Sequence, residues 1–331
     1  MDYEMIFERI LILEHKKDLQ NREVAIYPYG TLGKLTEKVL VKEFRVKKIY
    51  RIDNNLSDKE IIKFDDFINE KHSNILWILA TDRQEVFNEL VIQLFLQGIN
   101  IKDIFILEKG MLPASKALEK VIENNEYRTV LDVGCGIGIH GKILEDYGKG
   151  VTGLNISKNN HYQCKCLKNM IYENFLEFTP FEKYDVVWAS HIMEHIADEM
   201  EFVKKMKNCV RKEGCIAITV PVRESNILLS RVHSYNAGRI LRFLICAGID
   251  CGDAQILEYG YNLSVIIPKV YEIEEEVDIK KVEYREVFNA ENLLYYLPKE
   301  IKLEKSWDNN IYFNGDIKRM NWEPLPSEYI L

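Results

Sequence analysis

Short apolar runs alternate with amphipathic stretches through the first hundred residues, and the alternation resumes after residue 127. Val24-Ala25-Ile26-Tyr27, Lys48 to Ile52, Ile75 to Leu79 and Ile104 to Leu107 each read as a strand. Pro28 to Gly33 reads as a turn, the stretch to about Phe44 as a helix, and Gln84 to Leu96 as a second helix. Strands alternating with helices predict parallel βαβ units, so residues 1–108 are expected to form a small α/β module. Pro113 marks a break, followed by an amphipathic helix and the strand Thr129 to Val133. A glycine loop, a helix to about Tyr147, and strands near Gly150 to Leu154, Tyr184 to Trp188 and Cys215 to Val220 come next. Ala254 to Tyr259 and Asn262 to Ile267 read as a hairpin turned by Gly260-Tyr261. Residues 109–270 are therefore expected to form a second parallel sheet ending in an antiparallel hairpin. Residues 271–331, acidic at first and rich in Tyr and Trp later, read as a C-terminal extension without an interpretable motif.

Composition narrows the function classes. A chain of 331 residues, 47% hydrophobic and 29% charged, reads as soluble, globular and two-domain. No apolar run approaches the roughly 20 residues that cross a bilayer. Met1-Asp2-Tyr3-Glu4 lacks the basic and apolar regions of a signal peptide. Seven cysteines without framework spacing fit a reducing compartment, so a cytoplasmic location without membrane insertion is expected. A net charge of -8 argues against a nucleic-acid partner, which would need clustered Lys and Arg to neutralise phosphates. The expected partner is a small-molecule or carbohydrate-like acceptor; nothing in the sequence sets the oligomeric state.

The densest chemical signal is Val130-Leu131-Asp132-Val133-Gly134-Cys135-Gly136-Ile137-Gly138. An apolar strand enters a loop with glycines at alternate positions, and a helix follows. Glycines there permit positive φ and close approach of backbone amides to a ligand, and the helix adds its positive end. This segment resembles motif I of the class I S-adenosylmethionine-dependent methyltransferases, and the resemblance runs from about residue 127 to 268. It implies an α/β fold in which a Rossmann-like parallel sheet carries the late hairpin, preceded by the smaller Rossmann-like module. In that family the loop at Gly134, Cys135, Gly136 and Gly138 contacts the amino-acid portion of S-adenosylmethionine, and the acid at Asp132 organises the loop and the ammonium end.

Asn155 lies 21 residues beyond Gly134, where a carboxylate usually takes the ribose hydroxyls. An amide oxygen accepts one such proton, without charge-assisted strength. Asn174, or its neighbour Glu173, falls where the family places an acid facing the adenine. Tyr184 to Ser190 resembles the family's fourth strand, whose exit loop lies beside the sulfonium, so Ser190 joins the expected cofactor contacts.

His191, Glu194 and His195 stand at i, i+3 and i+4, which on a helix share one face, and His233 follows beyond the next strand. Three readings compete. The histidines pack or cap; one of His191, His195 and His233 is a general base for a hydroxyl acceptor; or His191, Glu194, His195 and His233 hold a divalent metal ion. The last resembles the Glu-x-x-Glu-His arrangement of metal-dependent small-RNA 2′-O-methyltransferases and some ubiquinone-pathway O-methyltransferases. The same His-x-x-Glu-His run occurs in a peptidase signature, but the upstream glycine loop has no place there.

In the first module, Gly30, Gly33 and Asp53 resemble nucleotide-binding-like modules beside bacterial glycan-modifying enzymes; a plain tight turn explains the same residues. The function expected is S-adenosylmethionine-dependent O-methylation of a sugar, surface-glycan precursor or small polar hydroxyl metabolite. N- or C-methylation of another metabolite, or non-catalytic nucleotide binding, are the alternatives.

Overall fold

The computed structural model describes all residues except 18, 47, 57, 71, 109, 157–163, 165, 223–230, 274–295, 307–310 and 324–331. The chain divides into two compact units, Met1–Leu112 and one that begins at Pro113.

The first unit contains strands β1 (Glu23–Tyr27), β2 (Ile49–Ile52), β3 (Ile61–Ile62), β4 (Ile75–Leu79) and β5 (Ile104–Ile106). They form one parallel sheet in the order β3-β2-β1-β4-β5. Val24 to Tyr27 and Leu76 to Leu79 are buried without alternation, as central parallel strands covered on both faces require. Helices α1 (Tyr3–Lys17), α2 (Thr31–Glu43), α3 (Phe64–Asn69) and α4 (Gln84–Leu96) complete the unit. Of these, α1 and α3 were not legible beforehand, nor was the short strand β3; in α1, Ile6, Ile10 and Leu13 recur at helical spacing and enter the core with Val39 and Leu40 of α2.

At the carboxyl end of this sheet the side chains satisfy one another. Tyr29 donates to Glu37, Arg51 donates to Glu37 at 2.7 Å, and Asp53 accepts the amides of Asn55 and Leu56. A Cβ on Gly33 would lie 2.6 Å from the Pro28 carbonyl oxygen, so glycine here serves tight strand-to-helix packing.

The second unit starts with α5 (Ser115–Glu123), β6 (Thr129–Val133), α6 (Ile139–Asp146), β7 (Gly150–Asn155) and β8 (Asn169–Tyr172). It continues through β9 (Tyr184–Ser190), α7 (Glu199–Cys209), β10 (Val210–Pro221), α8 (Ala237–Cys246), β11 (Gln255–Tyr259) and β12 (Asn262–Ile267). Short strands β13 (Glu304–Lys305) and β14 (Ile311–Tyr312) pair together, and β15 (Arg319–Met320) joins β11. The large sheet runs β15-β11-β12-β10-β9-β6-β7-β8. The five strands from β8 to β10 are parallel, and β12 is antiparallel to β10, closing the expected hairpin at Gly260. This is the expected α/β class. Two details differ: β8 is an unforeseen strand, and β10 begins at Val210, with a register shift before Cys215.

Along β6 the alternation of a strand sends Leu131 and Val133 into the core shared with α7 and α8, and Asp132 to the opposite face. Leu297, from the described part of the segment beyond 271, packs in that same core, and Trp322 is buried. The chain lays β7 and β8 on one side of β6 and then returns to place β9 on the other. Such a reversal opens a crevice at the carboxyl ends of β6 and β9, where ligands of open α/β sheets bind. Among the described residues, no helix is long and apolar enough to cross a membrane.

Buried Asp185 pins the opposite end of the sheet. It accepts the amides of Arg128 and Thr129 at 2.6 and 2.8 Å and pairs with Arg211 at 2.6 Å. Asp185→Ala should destabilise this unit by about 2–3 kcal/mol by leaving those amides without an acceptor. Thermal unfolding checks this; a melting temperature within one degree of the parent would contradict it.

Candidate functional site

After β6 the backbone turns through Gly134, Gly136 and Gly138 at φ 68°, 54° and 88°, the left-handed region that favours glycine. The three are not equivalent. A Cβ on Gly134 would meet the Ile192 side chain at 2.8 Å, and one on Gly138 would strike Cys164 and Cys166. One on Gly136 would meet nothing within 4 Å, so this glycine borders open space. The amides of Gly134 and Cys135 both donate to the Leu154 carbonyl, and Gly138 closes back on Cys135. Among the described residues, the Gly136 and Ile137 amides donate to no backbone carbonyl. Gly138 caps α6, whose first amides point the same way. The arrangement is a nest of donors fit for a carboxylate.

Asp132 lies beneath this loop, 2% exposed, and its Oδ2 has no hydrogen-bond partner among the described residues. Burial, and then the negative charge of Cys164, push its carboxyl up to about 7, opposed by the Gly141 backbone amide. Its register partner on β9 is Trp188, whose Nε1 is also buried without a partner, as is the Oγ of Ser190. An acceptor left open beside a nest of donors fits the ammonium and carboxylate of a bound amino acid. The orphaned oxygen and the open face of Gly136 thus agree with the amino-acid end of S-adenosylmethionine.

Asn155 ends β7 half-buried; its Oδ1 accepts the Ile156 amide and its carbonyl accepts that of Glu173. Asn174 occupies the expected edge, just past β8, but its side chain is spent locally. Its Oδ1 accepts the Leu176 amide and its Nδ2 donates to Glu177. Glu173 is joined to Asn155 through its backbone amide.

The histidine cluster departs from the helical expectation. His191 leaves β9 at φ 54°, and Met193–His195 is one 3-10 turn, so the i, i+3, i+4 argument for a shared face does not hold. His191 stacks on Tyr261 of the hairpin turn, rings 5.6 Å apart, and its Nε2 is 2.9 Å from Asn262 Oδ1. That oxygen also accepts the Ala114 amide, so it is an acceptor and the His191 proton sits on Nε2. Nδ1 is left with its lone pair, 3.5 Å from Oε1 of the buried Glu194.

His195 lies farther from that oxygen, at 3.9 Å. His233 turns away: its Nδ1 is 3.1 Å from Glu199, which also receives Arg239 at 2.5 Å and Tyr235 at 3.2 Å. The expected metal quartet of His191, Glu194, His195 and His233 therefore does not converge. Among the described residues, no three His, Cys, Asp or Glu side chains are grouped to hold a metal ion.

One residue escaped the sequence reading. His140, in the first turn of α6, packs edge-on to Trp188 and donates Nε2–H to the Pro113 carbonyl at 2.9 Å. Desolvation lowers its pKa to about 4, with nearby His191 adding to the effect and the Pro113 bond opposing it. Its only sequence signal was its place directly after the glycine loop.

Comparison with known proteins follows the same lines. Residues 131–218 match the family model described as "Methyltransferase domain". A ubiquinone biosynthesis O-methyltransferase of Glaesserella parasuis is 26% identical over 106 residues, 28% of this chain and 44% of that protein. A 2-methyl-6-phytyl-1,4-hydroquinone methyltransferase of Synechocystis is 34% identical over 98 residues, 27% of this chain and 31% of that protein. The chain thus spans less than half the length of either relative. The solved structure of a SAM-dependent methyltransferase from Archaeoglobus fulgidus aligns with TM-score 0.40 and 16% identity, over 47% of this chain and 93% of that one. The family-model match falls wholly within the second unit.

Asp132 generates a prediction about the ligand-free protein. Its folded pKa, near 7, exceeds the ordinary 3.8, so its contribution to stability is full below about pH 4 and is lost as pH rises through 7. Asp132→Asn should therefore melt higher than the parent at pH 8, with the gap closing towards pH 4. A variant less stable than the parent at pH 8 would contradict the buried, unpaired carboxylate.

Proposed function

We propose that the chain is an S-adenosylmethionine-dependent O-methyltransferase in which His191 is the general base. The observation that carries the base assignment is the fixed tautomer. Asn262 holds the proton on Nε2, and the Nδ1 lone pair is too far from Glu194 for a good hydrogen bond. That nitrogen is free to take a proton from an acceptor hydroxyl, and the Glu194 carboxylate then faces the imidazolium that results. His191 stands at the carboxyl end of β9, beside the crevice that the glycine loop borders.

When bound, S-adenosylmethionine supplies an electrophilic methyl group. Residues of this chain do the rest. The Gly136 and Ile137 amides and Asp132 seat the amino-acid end, Asn155 and Glu173 stand at the carboxyl ends of β7 and β8, and Ser190 with His191 line the reacting end. Cys135 and Gly138 shape the loop through its backbone, while Gly134 admits Ile192. His233 takes no proton in this scheme because it is committed to Glu199, and His195 is given no role in it.

For the acceptor, the chemistry of the base favours a phenolic hydroxyl. A phenol, near pKa 10, gives up its proton to an imidazole far more readily than an alkyl hydroxyl, a much weaker acid. The name of one relative, a ubiquinone biosynthesis O-methyltransferase, supports transfer to oxygen, and that of the other, a hydroquinone methyltransferase, supports a phenolic substrate. A saccharide hydroxyl, the expectation drawn from the first unit, finds less support: Tyr29 and Arg51 there already donate to Glu37, and Asp53 holds the backbone amides of Asn55 and Leu56.

The test is formation of S-adenosylhomocysteine with a panel of catechols, hydroquinones and sugars, in the presence of excess chelator. Turnover with a phenolic acceptor is expected. His191→Gln should reduce kcat about 100-fold while S-adenosylhomocysteine affinity changes little, as for loss of a general base. Glu194→Gln should fall between it and the parent. Full activity of His191→Gln, or loss of activity on chelation, would refute the assignment.

A further inference from the structure

One peptide group, Pro113–Ala114, stands between two histidines of the second unit, and the scheme above uses only His191. His140, in the first turn of α6, holds the Pro113 carbonyl with Nε2 at 2.9 Å. A carbonyl oxygen can only accept, so the His140 proton sits on Nε2. Desolvation lowers its pKa to about 4, so at neutral pH the ring carries that single proton. The other end of the same peptide group, the Ala114 amide, donates to Asn262 Oδ1 at 3.1 Å. That oxygen also accepts the Nε2–H of His191 at 2.9 Å.

A peptide group is planar, so its C=O and N–H point in opposite directions and turn together. Whatever fixes the Pro113 carbonyl therefore aims the Ala114 amide. Ala114 itself stands at φ 54°, a left-handed conformation that costs energy for any residue but glycine. Its carbonyl accepts the Leu118 amide and opens α5, which anchors the far side of the residue. The Asn262 side chain is buried, and its oxygen and amino group are nearly equal in shape, so either end could face His191. With Nδ2 there, the His191 proton would have to move to Nδ1, and the lone pair that the scheme needs would be lost. The Ala114 amide, which can only donate, excludes that orientation. Nδ2 turns instead to the Tyr259 carbonyl at 3.4 Å.

We propose that His140 is a positioning residue for His191: it clamps the Pro113–Ala114 peptide, which orients the Asn262 amide, which keeps the His191 proton on Nε2 and the lone pair on Nδ1. His140 acts through Asn262 and transfers no proton itself. Each bond in the line polarises the next, because a carbonyl that accepts from His140 makes its own N–H the stronger donor. The turn of α6 that follows the glycine loop thus also carries the group that sets the base. The value of this tautomer for catalysis rests on the assignment of His191 as base; the hydrogen-bonded line does not.

The experiment records long-range proton–nitrogen NMR spectra of the full chain labelled at its histidines, without ligand, above the imidazole titration range. The His191 signals are identified by their loss in His191→Gln. The parent is expected to show His191 with a protonated Nε2 and a bare Nδ1. His140→Phe keeps a ring against Trp188 but has no donor, and it should move both His191 nitrogens towards a tautomer average. His140→Gln, whose side-chain amide can reach the Pro113 carbonyl, should return them to the parent positions. If His140→Phe does not fold, His140→Asn, a donor too short to reach that carbonyl, takes its place. In turnover, His140→Phe should lower kcat about tenfold with S-adenosylhomocysteine affinity little changed, and His140→Gln should regain most of the loss. A parent His191 protonated on Nδ1 would overturn the proposal. So would a His191 tautomer that the loss of the His140 donor leaves unmoved in a folded chain, which would make His140 packing for Trp188 alone. A tautomer that follows His140 in a chain that methylates no hydroxyl acceptor would leave the positioning in place and count against the base assignment.

Discussion

The chain leaving β6 must turn into α6 within five residues, and it does so by holding Gly134, Gly136 and Gly138 in left-handed backbone. A side chain in that conformation costs roughly 1–2 kcal/mol per residue. At Gly134 and Gly138 it would also collide with Ile192 and with the Cys164 sulfur. The turn then has three results at once: amides face outward at Gly136 and Ile137, α6 starts directly behind them, and Asp132 is covered. A buried carboxyl with one oxygen unpaired is expensive, and burial raises its pKa to about 7. On the function proposed above, a cationic ligand group would relieve that cost.

The two units repeat one plan with different outcomes. Both run a strand into a glycine turn and a helix at the centre of a parallel sheet. In the first unit, Gly30 stands at φ −79°, Gly33 is packed against the Pro28 carbonyl, and neighbouring side chains occupy the polar groups. In the second, the Gly136 and Ile137 amides meet no backbone carbonyl, and one oxygen of the acid below has no partner among the described residues. Backbone sign at the glycines, rather than their presence, separates a turn that closes on itself from one that faces a ligand.

Much of this was legible in the residues. Continuous apolar runs marked the central strands because strands covered on both faces need them, and the loop declared itself by glycines at alternate positions. Strand β8 was missed because Asn169, Met170, Ile171 and Tyr172 form a short edge strand that is only partly buried and follows polar residues. Helix α1 was missed because its apolar spacing lay outside any strand–helix alternation. The histidines misled for a local reason: sequence spacing implies a shared face only on an α-helix, and His191 instead sits in left-handed backbone before a single 3-10 turn. The pairings that decide their roles, Asn262 with His191 and Glu199 with His233, join positions 71 and 34 residues apart and could be seen only in the fold.

The central claim is that one ligand site exists in this chain, at the loop after β6, and that it takes the adenosyl amino acid. Calorimetric titration of S-adenosylhomocysteine into the reduced full-length protein tests it most directly. The account predicts one site per chain, and loss of measurable binding in Gly136→Val with the fold retained. No binding by the intact protein, two sites per chain, or undiminished binding by Gly136→Val would contradict it.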